Sequence, residues 1–324
     1  MQDSMIQTKR IEWLDVIKAL GIMLVYFGHA HVPGSIYIYM FHMPMFFIIS
    51  GFCWNGEKNR SMSFKAFARK KFKAYMIPYF KVAIVCFLTL GIAKSLIKYG
   101  ISYAFSDQIM KYLFGITVFS RGTVEWLPQC SPIWFLSCLF CAEIIFYWIM
   151  KTKDYILPLV LFAGLLGYGC SIIGKYFPWN IDNALSAIPL LYIGSMVKKY
   201  QRIILSYWLM PIFLTLTVFT FFHPIIVDFD GNHFSNQILM YLYGTVITFS
   251  IFQVISRLPI PGGYLQLIGK QTIILFGYNY AINTFVNATH ITGNPWINGI
   301  IEIAIGIILV IITERYQKLK KIIV

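Results

Sequence analysis

Read from the N-terminus, the chain alternates long apolar runs with short basic ones. About ten runs reach, or nearly reach, the ~20 apolar residues that a helix needs to cross a hydrocarbon core. They cover about 14–30, 36–54, 77–97, 132–150, 155–173, 184–197, 203–222, 238–256, 266–287 and 297–313. The runs are apolar nearly all round, as in helices embedded in lipid. The period-two alternation of a transmembrane barrel is absent. No internal repeat is visible, and no polar stretch exceeds about 35 residues. The pattern predicts an all-α, polytopic integral membrane protein of about ten transmembrane helices, with one membrane-embedded domain over 1–324. No small-residue cleavage site follows the first run, which is therefore expected to stay as a span.

Composition supports this reading and charge orients it. Of the 324 residues, 58% are hydrophobic and only 12% charged, too few charges to cover a water-soluble globule of this size. The net charge of +14 suggests nucleic acid in a soluble chain, but its placement excludes that partner. With the N-terminus in the cytoplasm, nineteen of the 27 basic residues fall on the cytoplasmic side, among them Lys58, Arg60, Lys65, Arg69, Lys70, Lys71 and Lys73. Four (Lys98, Lys111, Arg121 and Lys175) fall outside. This asymmetry places both termini in the cytoplasm, with the basic loops against anionic lipid. Cys138 and Cys141 form a C-x-x-C inside an apolar run with no second pair or nearby histidine, which reads as helix packing; no metal is expected.

Ionisable groups inside spans are costly and mark functional positions. Asp15, Lys18, Ile22, Val25 and His29 follow helical spacing and share one face of the first span. Lys18 and His29 are three turns apart, roughly 16 Å along the axis. A cation at one end and an acid–base group at the other suit a long substrate with an anionic head and a reactive tail. The second span carries His42 in Phe41-His42-Met43-Pro44, whose proline is expected to kink it. In the outer loops, Tyr103, Tyr112, Trp126, Phe229, Asp228 and Asp230 fit either sugar contacts or an ordinary interfacial aromatic belt, and the belt is the commoner case.

The segment from Arg10 to His29 resembles the opening of acyltransferase family 3, whose hallmark is a basic residue, ten intervening residues and a histidine, here Lys18 and His29. Phe41-His42-Met43-Pro44 through Ser50-Gly51-Phe52 resembles its second motif, and Arg69 with Ile77-Pro78-Tyr79 its third. Pro132-Ile133-Trp134-Phe135-Leu136 with Glu143 resembles the fourth, and Ile268-Gly269-Lys270 fits near the last. The sugar O-acetyltransferase branch, the fucose 4-O-acetylase-like proteins, is the nearest in appearance. This chain departs from the family in carrying lysine for the usual arginine, and Tyr278-Asn279 where many members carry a late histidine. Lysine binds phosphate as a point charge rather than as a two-pronged fork.

The resemblance implies a bacterial inner-membrane, multi-pass enzyme. It would move an acetyl group from acetyl-CoA to a surface glycan or a lipid-linked saccharide. Lys18 and Arg69 would bind the phosphates of the acyl-CoA, His29 would act as general base, and His42 and Asp15 would assist. Trp134 and Glu143 would stand near the substrate. Oligomeric state stays open. The alternative from another class is a secondary transporter or lipid-linked sugar flippase without covalent chemistry, whose sign would be broken helices paired in two halves.

Overall fold

The computed structural model describes residues 11–88, 133–260 and 263–323, with positions 92, 96, 100 and 113–115 between them and side chains in the last helix as far as Tyr316. Lys9, Arg10, Lys98, Lys111, Arg121, Tyr103, Tyr112, Trp126, Cys130 and Pro132 lie outside the described residues.

The chain runs through α1 (Glu12–His29), α2 (Ser35–Tyr39), α3 (His42–Phe52), α4 (Gly56–Ser61) and α5 (Phe64–Lys71). A π-helical turn, Phe72–Met76, joins α5 to α6 (Ile77–Cys86). Then come α7 (Trp134–Lys151), α8 (Ile156–Ile173), α9 (Ile181–Lys199), α10 (Gln201–Ile204) and α11 (Met210–Phe222). A ribbon of β1 (Val227–Asp228) and β2 (His233–Phe234) is the only strand pairing among the described residues. The chain ends with α12 (Gln237–Ile255), α13 (Tyr264–Lys270), α14 (Thr272–Thr289) and α15 (Pro295–Ile323).

This is an all-α membrane protein. Among the described residues, five stretches are long and apolar enough to cross a bilayer: 35–52, 134–151, 156–173, 237–255 and 295–316. Several of the ten expected spans, the first of these five included, are shorter, interrupted or polar. The first, α1, is 18 residues long but carries Glu12, Asp15 and Lys18. The run over 266–287 is two helices, α13 and α14, parted at Gln271. The run over 36–54 is also two, and the expected proline kink is replaced by a break one turn earlier. Helix α3 begins at His42, so Pro44 lies in its first turn, where a missing N–H costs nothing.

Two crossings set the bundle. Helices α3 and α9 approach so closely that a Cβ on Gly51 would sit 2.0 Å from the Leu191 carbonyl oxygen, and one on Gly194 2.0 Å from that of Ile48. Without a hydrophobic drive between helices in lipid, such small-residue contacts supply the packing. Gly269 of α13 similarly lies against the Asp15 carbonyl of α1. The two crossings hold α1 and α3, the helices that carry the ionisable face, in the middle of the bundle.

Candidate functional site

At one end of the bundle a cavity of about 440 Å³ opens between α1, α2, α3, the start of α7 and the β1 segment. His29, the last residue of α1, and His42, the first of α3, both line it, with Val25, Ser35, Tyr39, Trp134, Asp228, Phe229, Asp230 and Phe276. His42 Nδ1 lies 2.9 Å from the Ile38 carbonyl, which only an N–H can approach as donor. In a neutral ring that puts the proton on Nδ1 and the lone pair on Nε2. The Tyr39 ring meets the His42 ring edge-on at 5.3 Å. The His29 carbonyl accepts from Asn283 Nδ2 at 3.2 Å, and that same amide donates to Glu302 Oε1 at 2.9 Å.

The loop after α11 folds down onto the bundle. Ile225, Val227 and Phe229 alternate inward and are buried, Phe229 to 2% exposure. The Phe229 carbonyl accepts from the buried Asn183 amide, and its ring lies parallel to Trp134, 7° between planes. Trp134 is held in turn through Ser137, whose hydroxyl donates to its carbonyl at 2.9 Å and accepts from Asn180 at 3.1 Å. This burial places Asp228 and Asp230 at the cavity wall. Asp228 accepts from the Gly231 N–H at 3.0 Å, which fixes the turn.

Beneath the cavity, Phe46, Phe135 and Phe276 pack on one another with centroids 5.0–5.9 Å apart. Along α1, α3 and α7 these rings stand between the histidines and a second, basic end. There Lys18 pairs with the buried Asp15 at 2.6 Å. Glu143 Oε1 accepts from Ser50 at 2.9 Å and from Tyr75 at 2.8 Å, while Oε2 pairs with Lys71. Lys198 donates to the Trp54 carbonyl at 3.1 Å. Lys18, Lys71, Lys198 and Glu143 are all near enough to act electrostatically on the Cys53 thiol, so three ammonium groups converge on one region.

Of the expected site residues, His29, His42 and Trp134 meet in the cavity; Lys18 and Asp15 pair at the opposite end. Glu143 does not line the cavity: it is nine residues along α7 from Trp134, at the basic end. Arg69 is exposed on α5, whereas Lys71, two residues on, turns inward over the Phe67 and Tyr75 rings. Sequence reasoning missed Lys71, Lys198, Asn283 and Glu302. Glu302 had a usable signal, a lone acid in the apolar run 297–313. Among the described residues no group of three or more His, Cys, Asp or Glu is placed to hold a metal ion.

The sequence matches the family profile described as an acyltransferase domain, Acyl_transf_3, over residues 11–314. Comparison with the curated proteins and with solved structures found no match. With a profile spanning nearly its whole length and an apolar helical bundle to carry it, the chain belongs to acyltransferase family 3 and is a membrane acyltransferase.

Proposed function

We propose that the protein transfers an acetyl group from acetyl-CoA to a sugar hydroxyl of a surface polysaccharide or its lipid-linked precursor, at the plasma membrane of a bacterial cell. One observation carries the reading. Two histidines on adjacent helices face a single cavity, and one of those helices carries, roughly 16 Å away, a lysine within a cluster of ammonium groups. Lys18, Lys71 and Lys198 bind the phosphates of the coenzyme from the cytoplasmic side. The thioester is delivered toward the histidines.

In the transfer, an imidazole lone pair removes the proton of the acceptor hydroxyl as its oxygen attacks the thioester carbonyl. The tetrahedral adduct collapses with loss of the coenzyme sulfur, which takes the proton back from the imidazolium. Nothing is oxidised or reduced. His42, whose Nδ1–H donates to the Ile38 carbonyl, has its Nε2 lone pair set for the first step, and His29 faces the same space. The geometry does not favour transport. The two interrupted helices break at opposite ends of the bundle, beside His42 and beside Asp15, rather than facing one another at mid-depth around a solute.

The test is base-labile acetate on purified surface polysaccharide from cells making the intact protein, His29→Ala or His42→Ala at matched membrane levels, or no protein. Acetate is expected only with the intact chain, each variant losing roughly 10²–10⁴-fold in rate. Equal acetate in all samples overturns the assignment.

A further inference from the structure

Three side chains of α14 share the face turned to α1. Phe276 lines the cavity with Val25 and His29, and Asn283 holds the His29 carbonyl. Asn279 lies between them along the helix, within about 60° of both at 100° per residue. To its other side Leu275 packs with Ile22 and Tyr26 of α1, while Gly277 faces away, toward Val82 of α6. The phase of α14 therefore aims Asn279 at the last turns of α1. The neighbouring polar groups are committed. Asn283 Nδ2 donates to the His29 carbonyl and to Glu302, its Oδ1 accepts from Asn287 at 3.1 Å, and the Tyr26 hydroxyl donates to the Leu275 carbonyl at 3.0 Å. The buried amides of Asn180, Asn183, Gln237 and Gln253 each donate from their nitrogen. Asn279 does not: it is 1% exposed, and neither its Nδ2 nor its Oδ1 has a hydrogen-bond partner. An amide left unmade away from water costs stability in either flip of the group.

We propose that the Asn279 amide is held open for the thioester carbonyl oxygen and stabilises the negative charge that forms on it. This deepens the proposed transfer and rests on it. The acyl arm rises from the basic end past Phe276, and its carbonyl comes level with the next turn of α14. As the acceptor oxygen bonds to the carbonyl carbon, the C=O π pair moves onto the carbonyl oxygen, and Asn279 Nδ2–H donates to it. When the C–S bond breaks, that pair re-forms the carbonyl of the ester. The sulfur leaves with the bonding pair and takes the imidazolium proton. A donor fixed in place before the charge develops, in a surround without water, is worth far more than the same donor in water.

The test is Asn279→Leu in the full-length protein in nanodiscs, with Asn183→Leu, whose amide is committed to the Phe229 carbonyl, as the structural contrast. Replacing an unmade amide by an apolar group is expected to leave the unfolding midpoint unchanged or raised, whereas Asn183→Leu lowers it. Difference infrared spectra of bound acetyl-CoA, with and without 13C at the carbonyl, should place the thioester band at lower frequency in the intact protein than in Asn279→Leu. Acetyl-CoA binding changes no more than about threefold, because the bond strengthens mainly as charge develops. Acetate on surface polysaccharide, at matched membrane levels, falls roughly 10²–10³-fold in rate. Should leucine be too large for folded protein to accumulate, Asn279→Ala reads the band and the rate. An unshifted band or undiminished acetate overturns the inference and leaves the reaction standing. So does a midpoint that falls as far in Asn279→Leu as in Asn183→Leu, which makes the amide structural. An intact protein that binds no acetyl-CoA, or leaves no acetate, overturns the reaction and the inference with it.

Discussion

Residue by residue, partners decide what each charge does. Glu143 has three: Ser50 and Tyr75 donate to one oxygen and Lys71 pairs with the other. Glu143→Gln keeps an acceptor for the two hydroxyls but leaves Lys71 without its counter-charge. It is expected to lower thermal stability in detergent by about 2–3 kcal/mol, below the range for fully buried pairs because Lys71 keeps some contact with solvent. Adding Lys71→Met should recover most of that loss, because removing both members of such a pair is nearly neutral. Asn283 supplies the parallel case at the cavity. It ties the end of α1 to Glu302, so Asn283→Leu is expected to leave the protein folded and cut the transfer rate about tenfold, with little change in KM, as the backbone that carries His29 loses its anchor. The Lys18–His29 face was legible because helical spacing carries it. Lys71 was not, since the choice between it and Arg69 depends on which way α5 rolls onto the bundle.

Among the elements, the interruptions and crossings matter more than the spans. Hydropathy gave the existence of the apolar runs, and the helices α7, α8 and α12 sit within a residue or two of the ranges 132–150, 155–173 and 238–256. It could not show that the run over 36–54 breaks before His42, because a window average is blind to one non-helical residue, here Phe41 at φ −135°. The break has a local consequence: it makes His42 the first residue of α3 and leaves its Nδ1 beside the Ile38 carbonyl. The α3–α9 crossing was likewise hidden, although Gly51 stood in a recognised motif, since its reason is the backbone of a helix some 140 residues away. Gly194→Leu is expected to abolish accumulation of folded protein, because each added atom meets the Ile48 carbonyl and the backbone cannot retreat. Gel filtration of detergent extracts checks this, with Gly169→Leu on the open side of α8, where nothing lies within 4 Å, as the tolerated control.

At the level of the whole molecule, and among the described residues, the two ends of the bundle differ. His29, His42, Asp228 and Asp230 line the cavity, while Lys18, Lys71 and Lys198 gather at the other end with Asp15 and Glu143 as counter-charges. The split was readable from the alternating basic loops. The folding-in of the loop over 223–236 was not, because a short segment with buried alternation looks like any interfacial belt until its partners, Asn183 and Trp134, are known. The layer between the ends has a bearing on the cell as well as on the reaction. A bundle with polar groups at both ends is one rearrangement away from a continuous aqueous path, and we propose that the packed rings of Phe46, Phe135 and Phe276 stand across it. In the proposed reaction each turnover would have to let a thioester by without letting protons follow. Proteoliposomes carrying Phe46→Ala/Phe276→Ala are therefore expected to lose an imposed potassium diffusion potential faster than those with the intact chain, as read by a voltage-sensitive dye. If that leak is measured, the aromatic stack is an electrical seal as well as a packing core, and a host that expresses a truncated stack would bear the leak in its proton-motive force.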